Sequence, residues 1–393
     1  MTEQTARRAE ERGDNEIRTP PGASGGHSLA RSDATAPTLK SPADLVAAGL
    51  LAPAAAPALA AVASRYSVAV TPDIAALIDR ADPRDPIARQ FLPDPRELDT
   101  RAEELADPIG DGPFSPMEGL VHRYPDRVLL KLLSVCPVYC RFCFRRESVG
   151  HGKGGALSDE ALSRALAYIA ARPAIFEVIL TGGDPLALSA RRLRAVAERL
   201  REMEHVALLR IHTRAPTASP DLASPDRLAA LTASGKAVYM ALHVNHAREL
   251  TPRAREAIAR IQEAGVTTLA QTVLLRGVND DADTLERLMR ALASLRVKPY
   301  YLHHPDLAPG TSHFRVSIDE GRALYAELAR RVSGVASPAY VLDIPGGYGK
   351  VPLQPPHLER SPDGGWLVRD RAGRAHAYPG ESADEMAQRA VAD

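Results

Sequence analysis

The chain's three cysteines, Cys136, Cys140 and Cys143, fall in one short stretch with the spacing Cys-x3-Cys-x2-Cys. An odd count confined to one stretch makes no disulfide framework and points to a reducing, cytoplasmic compartment. Three thiolates on one loop can bind three irons of a 4Fe–4S cluster. No fourth cysteine exists, so the fourth iron is left open or is held by something other than a protein thiolate. An open iron can chelate the amino and carboxylate groups of S-adenosylmethionine (SAM). The reduced cluster can then pass one electron to the sulfonium and release a 5′-deoxyadenosyl radical. The competing reading is a structural zinc site built from the three cysteines and one of the twelve histidines. Such sites more often use paired Cys-x2-Cys knuckles.

Other residues carry chemistry that the cysteines alone do not supply. Gly182, Gly183 and Asp184 end an apolar run, where glycines let backbone approach a ligand closely. Lys350 is one of only six lysines and stands in the Gly-rich stretch PGGYGK. It could hold a phosphate by charge or form a Schiff base with pyridoxal phosphate (PLP). The pattern is not a Walker A loop, and a plain surface lysine is the alternative. Arg123, Tyr124 and Arg127 precede the first strand-like run. Two guanidiniums and a phenol suit a phosphate; a solvated loop with Arg127 in a salt bridge is the plainer reading. Asp306 and Asp343 follow the last two apolar runs. Together they would attract a cation such as a substrate ammonium, although either alone is a common turn residue or helix cap.

These residues need a frame. RVLLKLL (127–133), FEVILTG (176–182), VALLRI (206–211), AVYMAL (237–242), TTLAQTVLL (267–275) and KPYYL (298–302) read as strands buried on both faces of a parallel sheet. Helices alternate with them. Ser224-Pro225 and Thr251-Pro252 pair an N-cap with a proline at the first helical position, and Gly265 ends the second helix. Ser317 and Glu320 form a capping box. Six βα units in succession predict an α/β fold, a complete or partial parallel barrel, whose loops after the strands carry the chemistry. Residues 1–40 read as a disordered polar tail, 41–120 as a helical extension, 121–352 as the barrel, and 353–393 as a C-terminal extension with a hairpin turning at Ala372-Gly373. The apolar run 45–63 is broken by Gly49, Pro53 and Pro57 into two short helices, the first starting at Ser41-Pro42, so no membrane span is expected. Arg7-Arg8 lacks a closely following apolar segment, so no export signal is expected either. Basic and acidic residues number 49 each, which excludes a strongly basic nucleic-acid binder.

The stretch CPVYCRFCFRR resembles the radical-SAM superfamily. HRYPDRVLL (122–130), TGGDPL (181–186), HTRAP (212–216), QTVLLRGVND (271–280), PYYLHHPDL (299–307) and DIPGGYGK (343–350) narrow the resemblance to the lysine 2,3-aminomutase family over residues 71–352. The resemblance implies a partial (βα)6 barrel holding a 4Fe–4S cluster, SAM and PLP. It assigns Cys136, Cys140 and Cys143 to the cluster, and the Gly182-Gly183-Asp184 loop to the amino group of SAM. Arg123, Tyr124 and Arg127 fall to the PLP phosphate and ring, and Lys350 to PLP itself. Arg145 would take the substrate carboxylate, Asp306 and Asp343 the side-chain ammonium of lysine, and Gln271 would lie near the cofactors. The implied reaction moves the amino group of L-lysine from the α- to the β-carbon, giving β-lysine. Its implied partners are an amino-acid substrate and an electron donor of flavodoxin or ferredoxin type; formation of a homo-oligomer is compatible with this.

The chain departs from the family in three ways. It lacks the extra cysteines that hold a structural zinc in some lysine aminomutases, it carries His303 where the lysine enzymes carry tyrosine, and its N-terminal tail has no counterpart. Three other readings stand beside the first. One is the branch that makes β-lysine for elongation factor P, against which Asp343 within DIPGG argues. Another is an aminomutase for arginine or a different amino acid. The third is a non-catalytic Fe–S or zinc module.

Overall fold

In a computed structural model that describes residues 36–150, 154–354, 357–362, 365–370 and 373–379, nine strands form one sheet in chain order. They are β1 (Leu120–Tyr124), β2 (Arg127–Leu133), β3 (Glu177–Gly182), β4 (Leu208–Thr213), β5 (Ala237–His243), β6 (Thr267–Val273), β7 (Lys298–His303), β8 (Ala339–Ile344) and β9 (Gly349–Pro352). Strands β2 to β8 run parallel, and β1 and β9 pair antiparallel at the two edges. The six expected strands are β2 to β7. A seventh parallel strand, β8, follows the helix Ile318–Arg331; it is the short apolar run that leads into Asp343, which the six strand-like runs did not include. The edges meet where the Lys350 backbone N–H of β9 donates to Tyr124 Oη of β1 (3.1 Å). The architecture is an α/β partial parallel barrel.

Side chains alternate along each strand because the strand period is two. Val128, Leu130 and Leu132 of β2, Val178 and Leu180 of β3, Leu209 and Ile211 of β4, and Val238, Met240 and Leu242 of β5 face the helices and build the main core. Residues between them, among them Glu177, Thr181, Arg210, His212, His243, Gln271 and His303, line a central cavity. Leu129, Ile179, Ala241 and Val273 line it too, so the inward face is mixed. Barrels with packed interiors carry branched apolar side chains there; this one carries charges beside them.

The caps set the helix boundaries. Ser41 and Asp44 form a capping box for Pro42–Ala47, and Ser317 and Glu320 one for Ile318–Arg331. Thr251 caps Pro252–Glu263, and Gly265 follows that helix with φ +79°. Ser224 precedes Pro225–Thr232 but makes no capping bond; its hydroxyl accepts from Arg227 Nη1 (3.3 Å) instead. The expected C-terminal hairpin is part of a three-stranded antiparallel sheet, β10 (Leu358–Arg360), β11 (Trp366–Arg369) and β12 (Ala375–Tyr378). Gly373 has φ +83° in its turn, whereas Ala372 and the polar tail up to residue 35 lie outside the described residues. Among the described residues no helix is long and apolar enough to cross a membrane.

The segment before the barrel is made of short helices, including Pro42–Ala47, Ala56–Arg65 and Pro86–Phe91. Leu45, Val70, Ile74, Ile87 and Phe91 pack there with Val138 of the cysteine loop. Charge joins the same two pieces. The Glu97 carboxylate, fully buried, accepts from Arg141 Nε (2.9 Å) and Nη2 (2.5 Å) and from Arg146 Nη2. Arg141 also donates to Ser67 O (2.7 Å), and Arg146 to Arg141 O (2.9 Å) and Gly310 O (3.1 Å). Removing one partner of a buried ion pair leaves an uncompensated charge and costs about 3–5 kcal/mol. Glu97→Ala should therefore lower the free energy of unfolding by about that amount, read as an earlier urea transition. A transition at the wild-type position would show that the two arginines find other partners.

Candidate active site at the ends of the parallel strands

The cysteine loop leaves β2 at Leu133 and folds over the ends of the strands. Its backbone is held by β3: the Gly183 N–H donates to Leu133 O (2.6 Å) and the Asp184 N–H to Val135 O (3.0 Å). A Cβ on Gly183 would stand 2.2 Å from Val135 O, so only glycine allows the approach. The close contact read from the sequence is thus made with the loop itself, while Gly182 and Gly183 also line the cavity. Asp184 is buried, and its oxygens accept from Thr213 Oγ1 (2.7 Å), Leu186 N (3.0 Å), Arg214 N (2.8 Å) and Ala215 N (3.0 Å). Four donors fill a carboxylate's acceptor sites. The side chain ties β3 to β4, and what this loop can offer a ligand is backbone.

One cavity of about 510 Å³ is lined by all three cysteines and by every other residue singled out above: Gly182, Gly183, Asp184, Arg123, Tyr124, Arg127, Arg145, Gln271, Asp306, Asp343 and Lys350. Its volume is in the range of small-molecule sites. Burial pushes all three thiols up, Cys143 to about 11. They are therefore protonated at neutral pH until a metal takes the proton's place. Among the described residues no three His, Cys, Asp or Glu are arranged to hold a single metal ion. Arg214 Nη1 donates to Cys140 Sγ (3.2 Å).

The remaining residues form charge pairs. Asp111 accepts from Arg123 Nη2 (2.9 Å) on one oxygen and from Arg145 Nη2 (3.1 Å) on the other. Burial alone would raise Asp111, but Arg145, Lys131 and Arg123 hold it below the usual carboxylate range. Arg145 Nη1 also donates to Thr181 Oγ1 (3.3 Å). Arg127 stacks over the Tyr124 ring (3.7 Å) and donates to Asp126 (2.7 Å). Gln271 Nε2 lies 3.4 Å from His212 Nε2, and burial keeps that histidine neutral. Lys350 stands on β9, opposite Asp343 on β8, and its Nζ donates to Asp343 Oδ1 (2.7 Å). His303 Nδ1 is 3.8 Å from Asp343 Oδ2. Burial opposes the Asp343 charge, yet His303 and Lys350 beside it bring the carboxyl down to about 2. Asp306 goes the other way: burial, then repulsion from Asp343, pushes it up to about 7.

Asp111, Arg214 and Glu249 were not singled out in the sequence. Asp111 stands in a Gly/Pro loop without motif, and Glu249 reads as a helix-start acid. Only Arg214, inside HTRAP, stood near a signal.

The donor sets fit the groups that the motifs imply. Three thiols face one space, as a cluster needs. Among the described residues, Arg123 Nε, Arg145 Nε and Arg214 Nε are buried N–H donors without partners. Orphaned donors of this kind are costly, and phosphate, carboxylate and cluster sulfur are acceptors that would satisfy them. Lys350 is a partly buried amine in the same wall.

Residues 130–289 match the Radical SAM superfamily. The L-lysine 2,3-aminomutase of Fusobacterium nucleatum is 38% identical over 291 residues, 74% of this chain and 68% of its own length. That of Clostridium subterminale is 38% identical over 74% of this chain and 70% of its own. The glutamate 2,3-aminomutase of Clostridioides difficile is 34% identical over 76% of this chain and 70% of its own. Aminomutases of this family use a 4Fe–4S cluster, SAM and PLP, and are isomerases. With the cysteine loop over a partial parallel barrel and the paired charges beneath it, the chain belongs to the lysine 2,3-aminomutase family of radical-SAM enzymes.

Proposed function

We propose that this enzyme acts on L-lysine and moves its amino group from the α- to the β-carbon, giving β-lysine. The observation that carries the substrate choice is the seat of Lys350. A lysine ammonium of the chain itself lies 2.7 Å from Asp343, in the cavity that Asp306 also lines. That ammonium stands in for the terminal ammonium of a substrate lysine. A glutamate side chain would meet two carboxylates there, and its charge would be repelled.

In this reading Cys136, Cys140 and Cys143 hold the cluster, and Gly182 and Gly183 offer backbone to the amino group of SAM. Arg123, Arg127 and Tyr124 receive the PLP phosphate and ring, and the Lys350 amine carries PLP. When bound, SAM and the cluster supply a hydrogen-abstracting radical, and PLP supplies a conjugated system that spreads the unpaired electron during migration. The chain's own residues set the geometry. Arg145 takes the substrate carboxylate, exchanging Asp111 for it, and Asp306 and Asp343 fix the other end. Holding both ends places the α- and β-carbons between them. Gln271 and His212 border the same space as neutral groups. The electron would come from a flavodoxin- or ferredoxin-type donor in the cytoplasm.

Three outcomes check this reading. Borohydride reduction of the PLP-loaded enzyme, followed by peptide mapping, should place the pyridoxyl group on Lys350; label on Lys131 or Lys298 would refute the assignment. Charge-assisted hydrogen bonds are worth roughly 1.5–3 kcal/mol. Asp343→Asn should therefore lower kcat/KM for lysine by about 10- to 150-fold. It should do much less for neutral amino acids in an anaerobic assay with reductant, SAM and PLP. Faster turnover of glutamate or a neutral amino acid than of lysine would overturn the cation pocket, and arginine in the same panel tests the longer cation. The third outcome is a pH profile. Burial and the charge of Asp343 push Asp306 up to about 7, and its ionised form would attract the ammonium, so kcat/KM for lysine should rise as pH passes upward through about 7. Asp306→Asn should remove that limb; its persistence would assign the limb to another group.

A further inference from the structure

We propose that Arg214 sets the reduction potential of the 4Fe–4S cluster through Cys140, with Glu249 as the opposing charge. The inference rests on Cys140 being a cluster ligand. Among the described residues, Arg214 is the side chain that hydrogen-bonds to a cysteine sulfur, Nη1 to Cys140 Sγ at 3.2 Å. It comes from the turn after β4, which Asp184 fixes by accepting from the Arg214 and Ala215 N–H groups. Its Nη2 donates to Gln90 Oε1 and Glu249 Oε2, both at 2.7 Å. Glu249 is fully buried and is itself held by the Asn245 N–H (3.0 Å), the His246 N–H (2.9 Å) and Gln90 Nε2 (3.3 Å). Phe91 and Phe142 flank the guanidinium. Sulfur, guanidinium and carboxylate thus stand in sequence, joined by direct hydrogen bonds.

The physical consequence follows from charge. Reduction adds one electron to the cluster, supplied by a one-electron donor of ferredoxin or flavodoxin type, and forms or breaks no bond. The reduced cluster is more negative, so a donor and a positive charge on one of its sulfurs favour reduction. A site this buried screens the charge poorly. Glu249 keeps the arginine from being an isolated buried cation, and it offsets part of the arginine's effect. The two residues should therefore move the potential in opposite directions, which a purely structural role would not do.

The test uses Arg214→Gln, Arg214→Lys and Glu249→Gln in the full chain, purified anaerobically and reconstituted with iron and sulfide. Iron and sulfide are counted first, and the one-electron midpoint is then read by EPR during a redox titration with dithionite. Arg214→Gln should carry a full cluster whose reduction equilibrium is at least tenfold less favourable, about 59 mV lower for one electron. Glu249→Gln should move it upward, and Arg214→Lys should fall between wild type and Arg214→Gln. A full cluster in Arg214→Gln with an equilibrium within about twofold of wild type would overturn the proposal. So would a downward shift in Glu249→Gln, and these two Arg214→Lys and Glu249→Gln measurements decide the matter if Arg214→Gln assembles no cluster. Absence of iron and sulfide from the wild-type chain would instead refute the cluster assignment itself, and the count shows that before any potential is read.

Discussion

Everything at this site depends on where the cysteine loop is pinned. The loop buries Val138, Phe142 and Val149, and charge adds to that packing. Two of its arginines, Arg141 and Arg146, converge on one buried carboxylate, Glu97, from the helical segment before the barrel. Val138 adds an apolar anchor to that same segment, and the backbone of Leu133 and Val135 is bonded to Gly183 and Asp184 on the other side. The loop is thereby clamped between a segment that precedes the barrel and the barrel's second parallel strand. Buried ion pairs add little net stability compared with apolar contacts, but breaking one is expensive. That asymmetry suits a loop that needs one position more than it needs a large stabilisation.

Below the loop, the inward faces of the strands carry charges that are already paired. Asp111 spans Arg123 and Arg145, Glu177 pairs with Arg210, and Asp343 pairs with Lys350. Each pair keeps its two charges fixed in a poorly solvated cavity; in the proposed reading an incoming anion would replace Asp111 at Arg145, and an incoming ammonium would replace Lys350 at Asp343. Binding then exchanges one charged contact for another, so less desolvation has to be met at the moment of binding. Asp306 differs. Burial, then the charge of Asp343, pushes it up to about 7; in the proposed reading an arriving ammonium would favour its ionised form.

The sequence by itself determined the chemistry on the loop and the alternation of strands and helices. Three cysteines in one stretch allow few readings, and caps such as Thr251 and Ser317 act over three or four residues, so both are legible locally. The motif-bearing residues were legible as a set, including Lys350 and the two aspartates. What the tertiary structure decided is which of them meet. Asp343 and Lys350 face one another because β8 and β9 form a hairpin around Gly346 and Gly347, a cross-strand pairing that no spacing along the chain spells out. The runs read as buried on both faces line a cavity on one, because Glu177, Arg210 and His212 face inward there. Arg214, Glu249 and Gln90 come from three distant segments, and Asp111 lies in a loop without motif. Their roles rest on pairing across the fold, which no local spacing encodes, because a buried charge is defined by its partner and not by its neighbours in the chain.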